Sequence, residues 1–473
     1  MIWAITRKEL LQYARDGRLK ILLAVLVTFT AAATLHGRNT VQALERERIS
    51  AGQTDREVWN NQGPKNPHSA AHFSRYVFPP TSSLALFDPG LTPFVGRAVW
   101  LEAHYRDPAT LRPVEDAVEV QRLAQPSPAW ILQVLAPLLI VLFAYASISG
   151  ERDGGTLRYI QAMGARAGAL YWGKALALLA ILLTFVAVAV GGVFLAAPSM
   201  TPLPSASLRL ALLAGTYFIY LCVFAFAAIA VSAQVQRSRT ALLVLVGFWA
   251  ISSIIAPRLA PDIAAAVHPG PQGTTFWSQL SEESSDSFWS KEAKPRRDRL
   301  RDEQLEKYGV TTVEELPFNF DGFLLQASEE VANEVFDRRY GELWEVFERQ
   351  HRISLLFSVM SPTLAVTRIS RGLSGTDLYA HQHFTDSAET FRRTLIKGLN
   401  QDMIDNAGKE GYGYLADRTL WEKTPDFDYR APPLLSVGSR LWPNAIILLG
   451  WLMLAGIAGR RSVEGAFVRG AAR

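Results

Sequence analysis

Long apolar runs alternate with polar segments along the whole chain. A helix needs about 20 apolar residues to cross a bilayer, so runs of this length predict membrane-spanning helices. The predicted spans are residues 19–36, 129–149, 169–197, 208–233, 240–256 and 441–459. Pro137 falls inside the second span, where neighbouring helices can compensate the hydrogen bond that proline loses. The pattern predicts an all-α membrane protein with six transmembrane helices.

Lysine and arginine are concentrated in the short segments on one side of these spans. They occur in the N-terminal stretch, in residues 150–168, in residues 234–239 and in the tail 460–473, whereas the short loop "PSMTPLPSAS" has no charge. Short cytoplasmic loops carry an excess of lysine and arginine. Both termini are therefore predicted to be cytoplasmic, and the two long segments to face the periplasm.

Residues 1–18 are predicted to form an amphipathic interfacial helix before the first span. Ile2, Trp3, Leu10 and Tyr13 fall on one helical face, and charged residues fall on the other. A helix of this kind lies along the membrane surface. The alternative is a basic flank that is simply solvated.

The second periplasmic segment, 257–440, is predicted to be a mainly helical domain. In residues 322–352, aromatic and aliphatic residues recur at the spacing of one helical face. Gly309 is a predicted helix stop, and "TPDFDYRAPP" reads as an extended return to the membrane. The many prolines of 37–128 predict loops and short helices there.

Composition excludes several classes of protein. The 473 residues are 49% hydrophobic and 19% charged, and soluble proteins carry about 25% charged residues. The formal net charge of +4 offers no support for nucleic-acid binding. The chain has a single cysteine, Cys222, so no intrachain disulfide can form.

A nucleotide site is not predicted in this chain. "GALYWGKA", residues 168–175, approaches the phosphate-binding pattern G-x-x-x-x-G-K-[ST], but Ala175 cannot bind magnesium and no strand precedes the segment. We interpret Lys174 as a lysine that snorkels to the inner membrane boundary. Any ATP is then hydrolysed by a separate protein, and the chain itself is predicted not to be an enzyme and to bind no cofactor.

Two histidine pairs raise the question of a metal. His68 and His72 would share a face if their stretch were helical, and His381 and His383 are two residues apart. Neither pair has cysteines or carboxylates at a recognised zinc spacing. A structural or solvated role is favoured for both, and no metal site is predicted.

The segment "GERDGGTLRYIQAMGARAG", residues 150–168, cannot lie in hydrocarbon because of its charges. Its glycines allow a sharp turn, and Thr156 is predicted to cap a short helix over residues 157–163. Acid and base together can fix this helix against a neighbour by charge-assisted hydrogen bonds. An ordinary charged loop is the alternative.

This segment resembles the E-R-x-x-G-T-L motif that follows the second span in ABC-2 type permeases, the membrane subunits of many ABC exporters. The predicted topology resembles theirs as well. Stretches such as "HFSRYVFPPTSSLALFDPGLTPFVG" and "WEKTPDFDYRAPP" resemble a bacterial subfamily with a large periplasmic insertion, related to the permease of nitrous-oxide reductase maturation. In the common E-R-E-x-G-T form of this motif the third residue is glutamate; Asp153 stands there in this chain and keeps the negative charge.

The resemblance implies a type V ABC exporter-like permease in which residues 150–168 form a coupling helix that contacts an ATP-binding subunit. The residues implied in that contact are Glu151, Arg152, Gly155, Thr156, Leu157 and Arg158, with Arg237 and Arg239 in a second, smaller contact. On this basis Glu151→Ala or Arg158→Glu is expected to uncouple the ATPase and leave the fold intact.

The resemblance also implies the partners and the location. Two copies of an ABC ATP-binding subunit would hold ATP and Mg, and a second permease, identical or a sister chain, would complete the pathway in the bacterial inner membrane. A periplasmic partner is a further expectation. The function implied is export by alternating access; the alternative is a mechanical or signalling complex that acts through the periplasmic domain without transport. A periplasmic enzyme is disfavoured because no catalytic constellation is present.

Overall fold

The computed structural model describes residues 1–73, 75–113, 126–196 and 203–471. Residues 114–125 of the first long segment and 197–202 of the short uncharged loop lie outside the described residues. The helices are α1 (Ile2–Arg15), α2 (Gly17–Asn60), α3 (Pro67–Ala71), α4 (Pro128–Asp153), α5 (Thr156–Ala162), α6 (Ala167–Ala196), α7 (Ala206–Gln234), α8 (Ser238–Val267), α9 (Gly273–Trp289), α10 (Lys294–Tyr308), α11 (Phe320–Met360), α12 (Pro362–Ser374), α13 (Leu378–Asn406), α14 (Arg418–Lys423) and α15 (Leu434–Ala471).

Six of these helices are long and apolar enough to cross a membrane, counting only the described residues. They are α2, α4, α6, α7, α8 and α15. The chain is therefore a multi-pass, mainly helical membrane protein. Its bundle is centred on α7, which packs against α4, α6, α8, α12 and α15 and buries Leu213, Leu221 and Val223 completely.

The first membrane-spanning helix, α2, is much longer than the span predicted at 19–36. Residues 37–60, which the prolines farther along the segment led us to expect as loops and short helices, continue α2 to Asn60. The expectation was wrong there because this stretch contains no proline itself, the first being Pro64. At 1.5 Å per residue, the 44 residues of α2 extend about 66 Å, roughly twice the hydrocarbon thickness of about 30 Å.

A head domain, residues 61–113, 268–361 and 375–433, lies at one end of the bundle. It contains an antiparallel pair of strands, β1 (Arg75–Val77) and β2 (Val99–Leu101), that the sequence did not suggest. Its core includes Trp59 at the end of α2, whose Nε1 donates to the Trp421 carbonyl over 3.1 Å. The long helix α2 is thereby fixed to the head as well as to the bundle.

Several helical predictions for the head are confirmed. Gly309 ends α10 with a φ of 65°, a left-handed conformation that favours glycine. The predicted apolar face of α11 is buried at Phe336 and Tyr340. The extended return, residues 424–433, has no regular secondary structure in the structure either.

A buried ion network joins α11 to α13 inside the head. Arg392 Nη1 lies 3.0 Å from Glu329 Oε2, and its Nε lies 2.8 Å from Glu389 Oε2. Burial alone would raise the pKa of Glu329, but the hydrogen bond from His104 and the charge of Arg392 lower that pKa to about 2. The carboxylate is therefore charged throughout the physiological pH range.

The proline in the second span is compensated as expected. Pro137 has no amide hydrogen, so the carbonyl of Gln133, four residues earlier, loses its helical donor. Tyr220 Oη of α7 donates to this carbonyl over 2.7 Å. A π turn, Ile131–Leu135, lies just before the proline. Such irregular turns are tolerated in a membrane helix where neighbouring helices satisfy the freed backbone groups.

Helix α12 connects the head to the centre of the bundle. Val366 and Ile369 belong to the same buried core as α7. Thr363 Oγ1 lies 2.9 Å from Tyr220 Oη, and Tyr217 Oη donates to Ser370 Oγ over 2.8 Å. Residues 362–374, which we had assigned to the periplasmic domain, thus pack as part of the helical bundle.

Candidate coupling site

The segment 150–168, here called the charged turn, lies at the end of the bundle opposite the head. The N-terminal and C-terminal segments of the chain lie at the same end. Gln161 Nε2 donates to the Phe467 carbonyl over 2.9 Å, and Arg469 Nη2 donates to the Ala233 carbonyl over 3.3 Å. Helix α1, the charged turn, the loop 234–239 and the tail of α15 therefore form one surface, which we call the charged face. The four short segments in which lysine and arginine are concentrated beside the spans occupy the same end of the molecule.

The sharp bend of the charged turn depends on Gly155. This residue is the N-cap of α5 and has a φ of 72°, which residues with a Cβ rarely adopt. Thr156, predicted to be the cap, is instead the first residue of α5, and its hydroxyl donates to the Glu151 side chain. The cap prediction was wrong because the left-handed turn needs glycine at that position.

Glu151 belongs to a cluster of two acids and two bases. Lys174 Nζ lies 2.9 Å from Glu9 Oε1 and 3.1 Å from Glu151 Oε1, and Lys8 Nζ lies 3.1 Å from Glu151 Oε1. Lys174 is only 3% exposed. The interpretation of Lys174 as a snorkelling residue was therefore wrong: it is buried between two carboxylates and joins α1, the charged turn and α6.

Arg152 and Asp153 connect the charged turn to the fourth and fifth spans, α7 and α8. The Arg152 guanidinium donates to the carbonyls of Ala233 and Val235 at the C-terminal end of α7, where a positive charge is favoured by the helix dipole. Asp153 Oδ2 accepts hydrogen bonds from the backbone amide of Ser238, over 3.1 Å, and from its hydroxyl, over 2.6 Å, at the start of α8. The turn is thus held by α1 and by four helices of the bundle, α6, α7, α8 and α15.

The predicted site residues divide into two groups. Glu151, Arg152 and Leu157 make contacts within the chain, Leu157 being buried. The exposed members are Gly155, Thr156, Arg158, Arg237 and Arg239. Whether this second group meets a partner stays a prediction.

Sequence reasoning missed one exposed residue of α5 and the exposed residue at its C-cap. Tyr159 and Met163 are each 72% exposed, although large apolar side chains are usually covered. They are four residues apart in "RYIQAM", a spacing that places them on the same side of a helix, next to Arg158 in the sequence. That spacing was the available signal.

The near-match to a phosphate-binding loop is helical. Residues 168–175 lie within α6, where backbone amides are used by the helix and cannot surround a phosphate. The prediction that ATP is bound elsewhere remains a prediction.

The other notable concavity is a groove between the head and the bundle, of about 480 Å³. Its lining includes Pro80, Arg209, Tyr379, His381 and Tyr429. Arg209 also donates to the carbonyls of Leu373 and Pro432, over 3.2 and 2.9 Å. The volume is in the usual range for small-molecule sites.

Comparison with known sequences matches only part of the chain. A family described as a domain of unknown function (DUF3526) matches residues 274–430. This region begins in α9 and ends just before α15, so it covers most of the head and none of the six long apolar helices. No curated protein matches the chain.

The buried cluster on the charged face yields a stability prediction. Lys174→Met would leave Glu9, itself 4% exposed, and Glu151 without their central cation, so we expect a loss of about 3 kcal/mol or more in the free energy of unfolding. Lys8→Met is the matched control: Lys8 is half exposed, and its loss should cost less than about 1 kcal/mol. Thermal unfolding in detergent measures both, and equal effects of the two substitutions would contradict the assignment.

Proposed function

We propose that this chain is the membrane-spanning permease subunit of a bacterial ABC transporter, an exporter located in the inner membrane. A separate ATP-binding subunit, present in two copies, binds ATP and Mg²⁺ and hydrolyses the nucleotide. One chain contributes six spans, so a second permease, identical or a sister chain, completes the assembly.

The observation that carries the proposal is the exposed helix α5 on a rigid support. A surface that receives mechanical force must be exposed to its partner and fixed to the elements that it moves. Arg158 and Tyr159 are exposed, while the residues just before α5 are held by buried ion pairs and hydrogen bonds. A free loop of the same composition would absorb the displacement.

A continuous path supports the transmission of that displacement. Arg152 and Asp153 hold the ends of α7 and α8 that meet at the loop 234–239. Farther along α7, Tyr217 and Tyr220 bind α12 at the junction with the head. Movement of the charged turn would therefore reach the head through one packed helix, as a two-state rearrangement requires.

The first test concerns the partner. Arg158→Glu reverses an exposed charge of α5 and should remove a co-purifying ATP-binding subunit without changing the melting temperature of the permease. Arg299→Glu reverses an exposed arginine on the head and serves as the matched control. Affinity purification in mild detergent with mass spectrometry measures both. If the ATPase is absent from the unaltered protein, or is retained equally by both variants, the proposal fails.

Glu151→Ala is a poorer test than the sequence suggested. Its carboxylate contacts Lys8 and Lys174, so the substitution would alter the support of α5 as well as any contact with a partner. Arg158 has no hydrogen bond or ion pair among the described residues, and it therefore reports on the external surface.

The second test concerns orientation. The native Cys222 is buried, so the unaltered chain should react weakly with a membrane-impermeant maleimide. Arg158→Cys should be labelled only from the cytoplasm and Arg299→Cys only from the periplasm, because the charged face and the head lie at opposite ends. Labelling of both positions from the same side, or in the reverse order, would overturn the proposed topology.

A mechanical or signalling complex is a second candidate, favoured by the continuity of α2. This helix runs from the bundle to Trp59, which packs on Trp421 of α14, so it links the membrane to the head without a hinge. The mechanical function predicts that ATP binding by the complex changes hydrogen–deuterium exchange in α14 in the absence of any cargo. Unchanged exchange, together with ATPase activity stimulated by a cargo, would favour transport instead.

A further inference from the structure

Three histidines of the head come together although they are distant in the sequence. His68 and His72 lie on and directly after α3, and His104 follows β2. One ring nitrogen of each lies within 4.8 Å of one from each of the others. The ring centroids are 4.9, 5.2 and 5.3 Å apart. The sequence indicated only the first two, and it favoured a structural role for them.

The local backbone is built to hold this arrangement. Asn66 caps α3, with its Oδ1 accepting from the His68 amide over 2.9 Å. The Ala103 amide donates to the Ala71 carbonyl over 3.1 Å, which fixes the turn after β2 beside α3. The spacing between the histidines is therefore set by main-chain hydrogen bonds.

His104 has an unusual backbone conformation. Its φ is 66°, which a residue with a Cβ adopts at a cost and mostly where function or packing requires it. The His104 amide donates to Glu329 Oε1 over 2.7 Å, so the buried carboxylate of α11 stabilises the strained residue. This conformation brings the His104 ring to the rings of α3.

The same carboxylate orients the His104 ring. The ring Nδ1 lies 2.7 Å from Glu329 Oε1, so Nδ1 carries the hydrogen and Nε2 keeps its lone pair available. Arg392 donates to the other oxygen of Glu329 and is itself held by Glu389. A carboxylate that accepts from the non-ligating nitrogen of a histidine is the usual outer partner in metal sites.

The other two histidines also leave nitrogen atoms available. His68 Nδ1 is buried and has no hydrogen-bond partner among the described residues, which is costly for a polar atom unless something binds it. His72 is 39% exposed, and its Nδ1 lies 4.0 Å from Glu102 Oε2. Simple ring packing would account for the centroid distances, but it would not account for the unsatisfied nitrogen or for the Glu329 contact.

We propose that His68, His72 and His104 bind one divalent transition-metal ion through their imidazole nitrogens, in a zinc-type site with one coordination position open. Imidazole ligands suit zinc and copper(II). Tetrahedral zinc places its nitrogen ligands about 3.3 Å apart, so the rings close slightly on binding, a change that the partly exposed His72 side chain can supply. Water or an external ligand takes the open position on the solvent side.

The test uses the full-length protein in detergent, stripped with a chelator and titrated with Zn²⁺. Metal content after desalting should reach one zinc ion per chain, and the melting temperature should rise with zinc concentration, because zinc binds the folded state. Co²⁺ in place of zinc should give the visible absorption of a four-coordinate nitrogen site. Zinc content well below one ion per chain, or no cobalt spectrum, overturns the proposal.

Variants assign the ligands. His72→Ala and His104→Ala should each weaken zinc binding by more than the roughly 10- to 100-fold that is typical of outer-partner substitutions, and Glu329→Gln should fall within that range. His383→Ala is the matched control, since His383 lies beside Tyr429 Oη, 3.2 Å away, outside the cluster. Substitutions of the buried Glu329 and of the half-buried His104 can disturb folding, so the result for the more exposed His72 is decisive. Zinc affinity unchanged in His72→Ala, as in His383→Ala, overturns the assignment.

Discussion

Hydrocarbon offers no hydrogen-bond partner, so every backbone polar group inside a bilayer must be satisfied by the protein itself. This constraint explains the long helices and also the exceptions to them. Where Pro137 removes a helical bond, Tyr220 of α7 supplies a donor to the freed carbonyl. At the junction with the head, where α12 ends and the segment before α15 returns to the bundle, Arg209 donates to the carbonyls of Leu373 and Pro432. At both of these places a side chain of α7 satisfies the irregular backbone.

The central helix therefore links the two ends of the molecule. At one end Arg152 binds its last carbonyls, near the middle its tyrosines bind α12, and near the other end Arg209 donates to the Leu373 carbonyl of α12. Buried charges are compensated in the same way as buried backbone groups. Lys174 is buried because Glu9 and Glu151 both contact it, and an unpaired ion would be costly there. The result is a charged turn that is rigid underneath and exposed at α5.

The head uses a buried ion network for a comparable purpose. Arg392, itself paired with Glu389 on α13, fixes Glu329 on α11. Glu329 in turn accepts hydrogen bonds from both the amide and the ring of His104. A carboxylate placed for packing two helices thereby also orients a histidine at the surface. The groove near Arg209 lies between the head and the bundle, and none of the three clustered histidines lines it.

The sequence by itself determined the membrane-spanning character and the approximate positions of the six apolar helices, because hydrophobic length is a local property of the chain. It also indicated the bend at the charged turn and the stop at Gly309, since glycine acts through its own backbone. The extent of α2 was underestimated because a helix that leaves the membrane loses its apolar signal and is continued only by packing against the head. Tertiary structure alone decided that Glu151 and Arg152 face inward while Tyr159 and Met163 are exposed. It alone placed His104 beside His68 and His72, because contacts between residues far apart in sequence depend on how strands and helices pack, and no local pattern records them.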